Sequence, residues 1–429
     1  MKKLWTKNFT IITLGTVVSM LGHAVSGFAI GLMVYDFTGS TLKYALFMVC
    51  YSMPRVIMPL LAGPYIDRFS RAKLIYLLDF VAAGMYIIIA VILQFSWFNY
   101  VIFLLISLLA GSIDSVYSVV YESLYPLLIT EGNYSKAYSI SSLIYPLAST
   151  IMVPVAGICY NTVGLMPLFV FTAVAFAVAA IMETQIKVEE KHMISRATTS
   201  FSFKRFADDL KEGVDYLKDE KGLLCILAFF FITMMTGAAE STLALPFFKS
   251  SDANSFKSII PGLLEIPYFQ NHEGRGVAIY TFVMSMSTVG RLIGGVFHYR
   301  VKIPAKRKYN VAVVVYCCTA IIAGVFLFTP VELMCVLMML SGMLAVNSYN
   351  IRISSTQNYI PDEKRGRFNG LSAMIMTSGT LIGQVIFGGL GEVFTAKQII
   401  PVAMLVNLVS VSIMIIGGKH VKQIYNKDL

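Results

Sequence analysis

Ionisable side chains inside long apolar stretches are the residues of this sequence with the clearest potential for chemistry. A charge in hydrocarbon costs ~2.5–3.5 kcal/mol even on the most lenient scale, so such a group faces a cavity or a partner. Acids in this setting act as proton carriers or substrate anchors, and the alternative is a static pair that locks helices together. The residues concerned are His23, Arg55, Asp114, Glu122, Glu240, Arg291 and Arg352.

Asp114 and Glu122 have a spacing that suits proton exchange. They lie eight residues apart in one apolar stretch, and on a helix their directions then differ by about 80°. Both can therefore border one cavity, with Arg55 or Arg352 as a nearby cation. His23 could titrate near neutral pH, although a single histidine is more often simply hydrogen-bonded.

Tyrosine is abundant in the same stretches. The tyrosines concerned are Tyr51, Tyr117, Tyr121, Tyr145, Tyr280 and Tyr349. An aromatic and mildly polar cavity would suit an amphiphilic organic substrate. Each tyrosine could equally pack between helices or mark the membrane interface.

The elements that must position these side chains are membrane-spanning helices. Hydrophobic residues make up 57% of the 429 residues and charged residues only 14%, against about 25% charged in soluble domains. Because so few charges cannot cover a water-facing surface, lipid is the solvent for much of the chain. With about 20 apolar residues needed for a crossing, we predict an all-α membrane protein with about twelve spans. Their limits are 8–36, 41–66, 72–94, 99–126, 137–161, 165–186, 222–248, 276–299, 308–329, 331–359, 367–392 and 397–418.

The distribution of basic residues predicts the orientation of these spans. Most of the 34 Lys and Arg residues fall in the alternate loops that share a side with the N-terminus. The loops of the other side carry Lys43, Lys249, Lys257, Arg275 and Lys397. Since short cytoplasmic loops are enriched in Lys and Arg, we expect a multi-pass protein of the cell (inner) membrane with both termini in the cytoplasm.

A charged stretch at 187–221 divides the spans six and six. We predict an N-terminal six-helix bundle at 1–186, a cytoplasmic linker at 187–221 and a C-terminal six-helix bundle at 222–429. Within the linker, apolar residues recur at helical spacing from Phe203 to Leu217, which indicates an amphipathic helix on the inner membrane surface. The outer loop 249–275 indicates an ordered insertion of unknown purpose.

Several function classes are not supported by the sequence. The formal charge of +10 sits in short loops rather than on one aromatic-rich soluble face, so we expect no nucleic-acid partner. The sequence contains no metalloprotease, phosphate-binding or nucleophile-elbow motif, so we predict no enzymatic activity and coupling to an ion gradient or uniport. The six cysteines lie in apolar segments without metal-ligand spacing. We expect no cofactor and no metal, and a monomer.

The most specific motif joins the second and third spans. It runs from Gly63 to Lys73 and contains Asp67, Arg68 and Arg71. This stretch resembles the G-x-x-x-D-R-x-x-R signature of the major facilitator superfamily, at the place where that family carries it. The alternative, an ordinary basic loop, would explain the arginines but not the combination of Gly63 with Asp67.

Two further stretches resemble one branch of that superfamily. Residues 206–217 are similar to the linker helix, and residues 359–370 to the start of the eleventh span, of the macrolide-efflux and enterobactin-exporter branch. Two stretches depart from the family pattern. The antiporter signature of the fifth span is degraded at 153–157, and Tyr299 stands where the second-half motif would repeat Asp67.

The resemblance implies a fold and a mechanism. The fold is the major facilitator fold, with twelve transmembrane helices in two pseudo-symmetric six-helix bundles that work by alternating access. In it Gly63, Asp67, Arg68 and Arg71 form a gating motif, with the Asp67 carboxylate at the N-terminus of the eleventh helix. Spans one, four, seven and ten line the cavity, which ranks Asp114, Glu122, Glu240 and Arg352 above Arg55 and His23.

The sequence therefore predicts a secondary transporter of the lipid bilayer. We expect it to export a small, amphiphilic organic substrate in exchange for protons. One alternative is an importer or uniporter of the same fold. Another is a receptor or lipid-handling protein with a transporter fold that does not transport.

Overall fold

The regular secondary structure of the described residues is helical, as predicted for an all-α protein. The structure is a computed structural model that describes residues 3–58, 69–95, 97–130, 133–188, 211–212, 214–250, 255–266, 269, 274–300 and 304–426. The α-helices in chain order are α1 (Lys7–Thr38), α2 (Thr41–Ser52), α3 (Arg71–Gln94), α4 (Tyr100–Leu124), α5 (Tyr134–Val163), α6 (Met166–Glu183), α7 (Lys221–Ser250), α8 (Arg275–Arg300), α9 (Lys308–Val325), α10 (Val331–Tyr359), α11 (Asp362–Leu390), α12 (Ala396–Ile416) and α13 (Gly418–Tyr425).

Eleven helices of the described ranges are long and apolar enough to cross a membrane. They correspond to every predicted span except the second, and the chain is a multi-pass membrane protein. For the second span the structure describes α2 and helical residues 54–58. Residues 59–66, the rest of that predicted span, lie outside the described residues.

Short polar side chains fix where several helices begin. Thr6 accepts the Phe9 backbone N–H at 3.2 Å at the start of α1, and Ser70 accepts the N–H of Lys73 at the start of α3. Such caps satisfy backbone donors that a helix cannot pair internally. At the other end of α1, Gly39 adopts φ 60°, a left-handed conformation that suits glycine and stops the helix.

The chain forms two compact units. The first consists of Met1–Gly39 with Leu46–Phe201, and the second of Ser40–Ala45 with Ser202–Leu429. The predicted boundaries at 186/187 and 221/222 stay a prediction. Much of the predicted amphipathic segment lies outside the described residues, which include its last turns as helical residues 214–219, with Leu217 buried.

In the first unit, α6 packs against both α1 and α3 and forms the centre of the bundle. Its large side chains Phe169 and Phe176 are buried, and its Ala175 contacts Gly22 of α1. The α2 and α4 helices approach even more closely, because Gly111 of α4 lies directly against the backbone of Tyr51. A side chain at position 111 would overlap the Tyr51 carbonyl, so this contact requires glycine.

In the second unit, α8 packs along α10 and α7 packs along α11. Gly342 of α10 lies against the backbone of Ser287 on α8, which lets these two helices meet without intervening side chains. The outer loop is tied to the same helix, since the Glu332 carboxylate accepts the Ile259 and Ile260 backbone N–H groups at 3.0 and 3.1 Å. In return, the Val331 N–H donates to the Lys257 carbonyl at 3.0 Å. The described part of the predicted insertion is therefore fixed to the start of α10.

Candidate functional site

Asp114, in the middle of α4, is the centre of a polar cluster in the first unit. Its Oδ2 accepts a short hydrogen bond from the Tyr51 hydroxyl. The Arg55 Nη2 lies 3.7 Å from the same oxygen, and the His23 Nδ1 lies 3.7 Å from Oδ1. The structure thus brings together His23, Arg55 and Asp114 with Tyr51, one of the tyrosines considered from the sequence.

Aromatic rings complete this cluster. The Arg55 guanidinium lies 5.3 Å from the centre of the Tyr51 ring, a favourable cation–π distance. The His23 ring meets the Tyr145 ring edge-on at 5.7 Å. The residues come from α1, α2, α4, α5 and the short helical stretch 54–58. The close α2–α4 contact at Gly111, three residues before Asp114, positions the Tyr51 side chain beside that acid.

This arrangement is suited to binding a proton or a charged group reversibly. The Asp114 side chain is 27% exposed and His23 is 18% exposed, so both remain accessible while being partly desolvated. Arg55 is 53% exposed and supplies a positive charge that can stay with Asp114 or release it. A carboxylate with one hydroxyl donor and two weakly held basic partners can exchange partners at low cost.

Glu122 is not gathered into this cluster. It lies two turns further along α4 and is exposed, and the contacts that the structure describes for Asp114 do not include it. Of the two cations proposed from the sequence as neighbours of Asp114, Arg55 is the one within ion-pair distance. The expectation that Asp114 and Glu122 share one cavity therefore remains a prediction.

The predicted gating motif is described in part. Gly63, Asp67 and Arg68 lie outside the described residues. Arg71 begins α3, and its Nη1 donates to the Ser123 carbonyl at the end of α4 at 3.2 Å. This bond links the cytoplasmic ends predicted for α3 and α4.

The second unit contains a cavity of about 480 Å³, which falls within the range of about 300–1,000 Å³ typical of small-molecule sites. Its lining includes Glu240, Arg291 and Arg352, three of the ionisable residues selected from the sequence. The charges of Glu240 and Arg291 act on each other. The remaining lining residues are Phe229, Phe230, Thr233, Met234, Gly237, Tyr316, Thr319, Ala323, Ser341, Ala345, Val346, Ser348, Tyr349, Met404 and Asn407.

Arg352 of α10 stands in an aromatic part of this cavity. Its guanidinium lies 4.6 Å from the Phe230 ring centre and 5.5 Å from that of Tyr349. Its Nη1 contacts the Met376 sulfur at 3.3 Å, and its buried Nε has no acceptor among the described residues. A thioether is a weak acceptor. The guanidinium therefore keeps most of its donors available.

A second pair of acids in the first unit was not identified from the sequence. Asp79 of α3 and Glu183 of α6 are each 1% exposed, and their carboxyl groups act on each other electrostatically. Gly15 of α1 packs against the Glu183 carboxyl. In the sequence, Glu183 stands at the end of an otherwise apolar span, where a glutamate is expected at the membrane interface, so its burial was not predicted.

Metal ligation is not indicated by the described side chains. Among them, no group of three or more His, Cys, Asp or Glu residues is placed to hold a metal ion.

Comparison with known sequences identifies relatives of this chain. The family model of the Major Facilitator Superfamily matches residues 12–384. An uncharacterized MFS-type transporter of Bacillus subtilis (strain 168), YkuC, is 23% identical over 232 residues. That alignment covers 53% of this chain and 53% of the relative, so the chain matches about half the length of this relative.

Comparison with solved structures shows the same fold. The nucleoside transporter NupG superposes with a TM-score of 0.68 at 14% identity, over 96% of this chain and 100% of that chain. A bacterial homologue of the iron transporter ferroportin, in an inward-facing state, gives 0.62 at 15% identity over 95% and 98%. A family match that covers most of the sequence, together with this fold, shows that the chain belongs to the Major Facilitator Superfamily.

Proposed function

We propose that this membrane transporter exports a small, amphiphilic organic molecule by alternating access, in exchange for protons. The observation that carries the proposal is the Asp114 cluster, where Tyr51, His23 and Arg55 surround a partly exposed carboxyl group in the middle of a span. A carboxyl group within a membrane span is energetically costly, so it indicates a functional role. We propose that this role is reversible protonation.

The aromatic cavity of the second unit supports an organic substrate. Phe229, Phe230, Tyr316 and Tyr349 supply apolar and π surfaces, and Thr233 with Asn407 supplies polar groups. The likeness to nucleoside and metal transporters at 14–15% identity carries the fold and not the substrate. The resemblance of 206–217 and 359–370 to the macrolide-efflux and enterobactin-exporter branch is the reason to propose export rather than import.

Asp114 is proposed as the coupling acid, with Glu122 and Glu240 as further candidates. Arg55 and His23 each place a basic nitrogen 3.7 Å from an oxygen of the Asp114 carboxyl group, and we propose them as its exchange partners. Gly63, Asp67, Arg68 and Arg71 are proposed as the gating motif. We propose a monomer in the cell membrane, with bundles at 1–186 and 222–429 joined by the linker 187–221.

Transport in proteoliposomes with an imposed pH gradient tests this function. Purified full-length protein is reconstituted, and uptake of a panel of labelled amphiphiles is followed with the interior acid, alkaline or equal to the outside. Proton antiport concentrates substrate in vesicles that are acid inside. Accumulation only in vesicles that are alkaline inside would indicate symport, and hence an importer. Equilibration that ignores the gradient would indicate a uniporter, and binding without flux would indicate a receptor.

The Asp114→Asn variant tests the assignment of the coupling acid. It should lose gradient-driven accumulation while it still binds or exchanges substrate down its gradient. Asp219→Asn, which removes an exposed acid outside the spans, is the matched control and should transport like wild type. An Asp114→Asn protein that still concentrates substrate in response to pH would make Asp114 structural and move the assignment to Glu122 or Glu240.

A further inference from the structure

Arg352 is the ionisable residue of the second-unit cavity whose charge has no opposite charge beside it in the part of the chain that the structure describes. The three charged residues that line the cavity are Glu240, Arg291 and Arg352. Glu240 and Arg291 act on each other electrostatically, so Glu240 has Arg291 as its charged neighbour. The positive charge of Arg352 remains without an acidic partner among the described residues.

The contacts of Arg352 solvate a cation but do not neutralise it. The rings of Phe230 and Tyr349 lie 4.6 and 5.5 Å from the guanidinium. The described hydrogen-bond acceptor is the Met376 sulfur, and the Nε has none in the described residues. A guanidinium has five N–H donors in a fixed planar fork that matches a carboxylate. At the cavity wall, most N–H donors of the Arg352 guanidinium are therefore available to a ligand.

The surroundings of Arg352 favour stacking as well as ion pairing. Tyr316 and Tyr349 line the cavity with it, and the Tyr316 hydroxyl is held by that of Tyr425 at 2.9 Å. Phe229 and Phe230 pack against Tyr316, with ring centres 4.8 and 5.5 Å away. The fixed rings hold the guanidinium plane in one place and provide apolar surface for the rest of a ligand.

We infer that the substrate of this transporter is an anionic amphiphile, with a carboxylate-type head group that binds Arg352 and an aromatic body that packs against the cavity rings. This inference rests on the proposed function and names the class of substrate. An anionic head group would satisfy the free donors and cancel the remaining positive charge, which a neutral or cationic ligand cannot do. The cavity of about 480 Å³ has the size of small-molecule sites.

Three probes that differ in charge alone test the inference. Naphthylacetate, naphthylethanol and naphthylethylammonium share one ring system and carry a negative, neutral or positive head group. Each is titrated into full-length protein in detergent and followed by isothermal titration calorimetry. Wild type should bind naphthylacetate at least about tenfold more tightly than naphthylethanol, because a hydrogen-bonded charge is worth that much. Naphthylethylammonium should bind most weakly.

Arg352 variants locate the preference. Arg352→Gln should bind naphthylacetate and naphthylethanol equally, with the naphthylethanol affinity as in wild type. Arg307→Gln removes an exposed arginine of the same unit and should keep the preference of wild type. Should Arg352→Gln fail to fold, Arg352→Lys decides, since it keeps the charge but loses the planar fork and should weaken naphthylacetate binding several-fold.

The outcomes that would overturn the inference are distinct from failure of transport. Equal binding of the three probes, a preference for the ammonium, or no binding at all contradicts an anion site. A carboxylate preference that survives in Arg352→Gln, or an unchanged naphthylacetate affinity in Arg352→Lys, places the site elsewhere. The titrations need no pH gradient, so they can succeed where the proteoliposome assay fails and the reverse.

Discussion

The carboxyl groups of Asp79 and Glu183 act on each other electrostatically in the interior of the first unit, each on a side chain that is 1% exposed. Two ionised carboxylates repel each other and lose their hydration in such a place. The buried Tyr117 hydroxyl interacts electrostatically with both carboxyl groups. We therefore expect the pair to share one proton, in a hydrogen bond between helices α3 and α6.

We expect the hydrogen bond, rather than the acid itself, to stabilise this contact. Asp79→Asn keeps a donor for Glu183 and should melt within a few degrees of wild type. Asp79→Leu leaves Glu183 buried without its partner, which should cost about 1–3 kcal/mol. Thermal unfolding of the purified variants in detergent measures the difference. Equal melting of the Asn and Leu variants would show that the two acids do not depend on each other.

Tyr51 is predicted to act through Asp114. Tyr51→Phe keeps the ring that faces Arg55 but removes the hydroxyl that donates to Asp114. A hydrogen bond to a charged group contributes about 1.5–3 kcal/mol, so gradient-driven uptake should fall about tenfold or more. Tyr121→Phe on α4, the helix of Asp114, removes a hydroxyl that pairs with Ser141 instead. This control should transport normally, and a comparable loss in both variants would separate Tyr51 from the coupling step.

The fold could be predicted from the sequence because lipid imposes a simple rule. Each predicted span needed only an apolar run of sufficient length, as in α3 and α12, whose ends lie within two residues of the predicted limits. Arg55 was one of two cations, with Arg352, that the sequence suggested as neighbours of Asp114, because a charge in hydrocarbon needs a partner, and it is Arg55 that lies within ion-pair distance.

The rest of the site depends on contacts between distant parts of the chain. Tyr51 contacts Asp114 because Gly111 allows α2 and α4 to pack closely. A single glycine in an apolar helix is not enough to predict such a contact from the sequence. Arg352 meets Phe230 from α7, a residue more than a hundred positions earlier in the chain. Glu183 could not be separated from an interfacial glutamate without knowing that α1 and α3 cover it.

Glu392 should stabilise the second unit in a pH-dependent way. Its Oε1 accepts the Leu42 backbone N–H at 2.8 Å and the hydroxyl groups of Ser40 at 2.6 Å and Thr41 at 3.1 Å. These residues begin α2, so the carboxylate caps that helix. The Leu42 N–H and the Ser40 hydroxyl hold the pKa of Glu392 below its usual value. The stabilisation is thus present above the ordinary glutamate pKa and is lost as the pH falls through the lowered value.

The comparison of wild type with Glu392→Gln tests this dependence. Because the side chain is exposed, solvent screening limits the expected loss at neutral pH to about 0.5 kcal/mol. The difference in melting temperature should shrink as the pH is lowered and vanish once Glu392 is protonated. Glu122→Gln removes another exposed glutamate and should show no such convergence. A difference for Glu392→Gln that stays constant with pH would rule out the charge as its cause.

Membrane orientation is predicted by the charge asymmetry of the loops. Single cysteines are placed in a protein whose six native cysteines have been replaced, at Ala305 between α8 and α9 and at Ser255 in the outer loop. Since Lys306, Arg307 and Lys308 make the first loop strongly basic, Ala305→Cys should react with a membrane-impermeant maleimide only in inside-out vesicles. Ser255→Cys should react only in intact cells. Labelling of Ser255→Cys from the cytoplasmic side would contradict the predicted orientation. Because Ser255 lies between α7 and α8, it would reverse the direction of these two spans and of the spans that alternate with them. It would also place the Glu332-bound loop, with its exposed Ile259 and Ile260, in the cytoplasm.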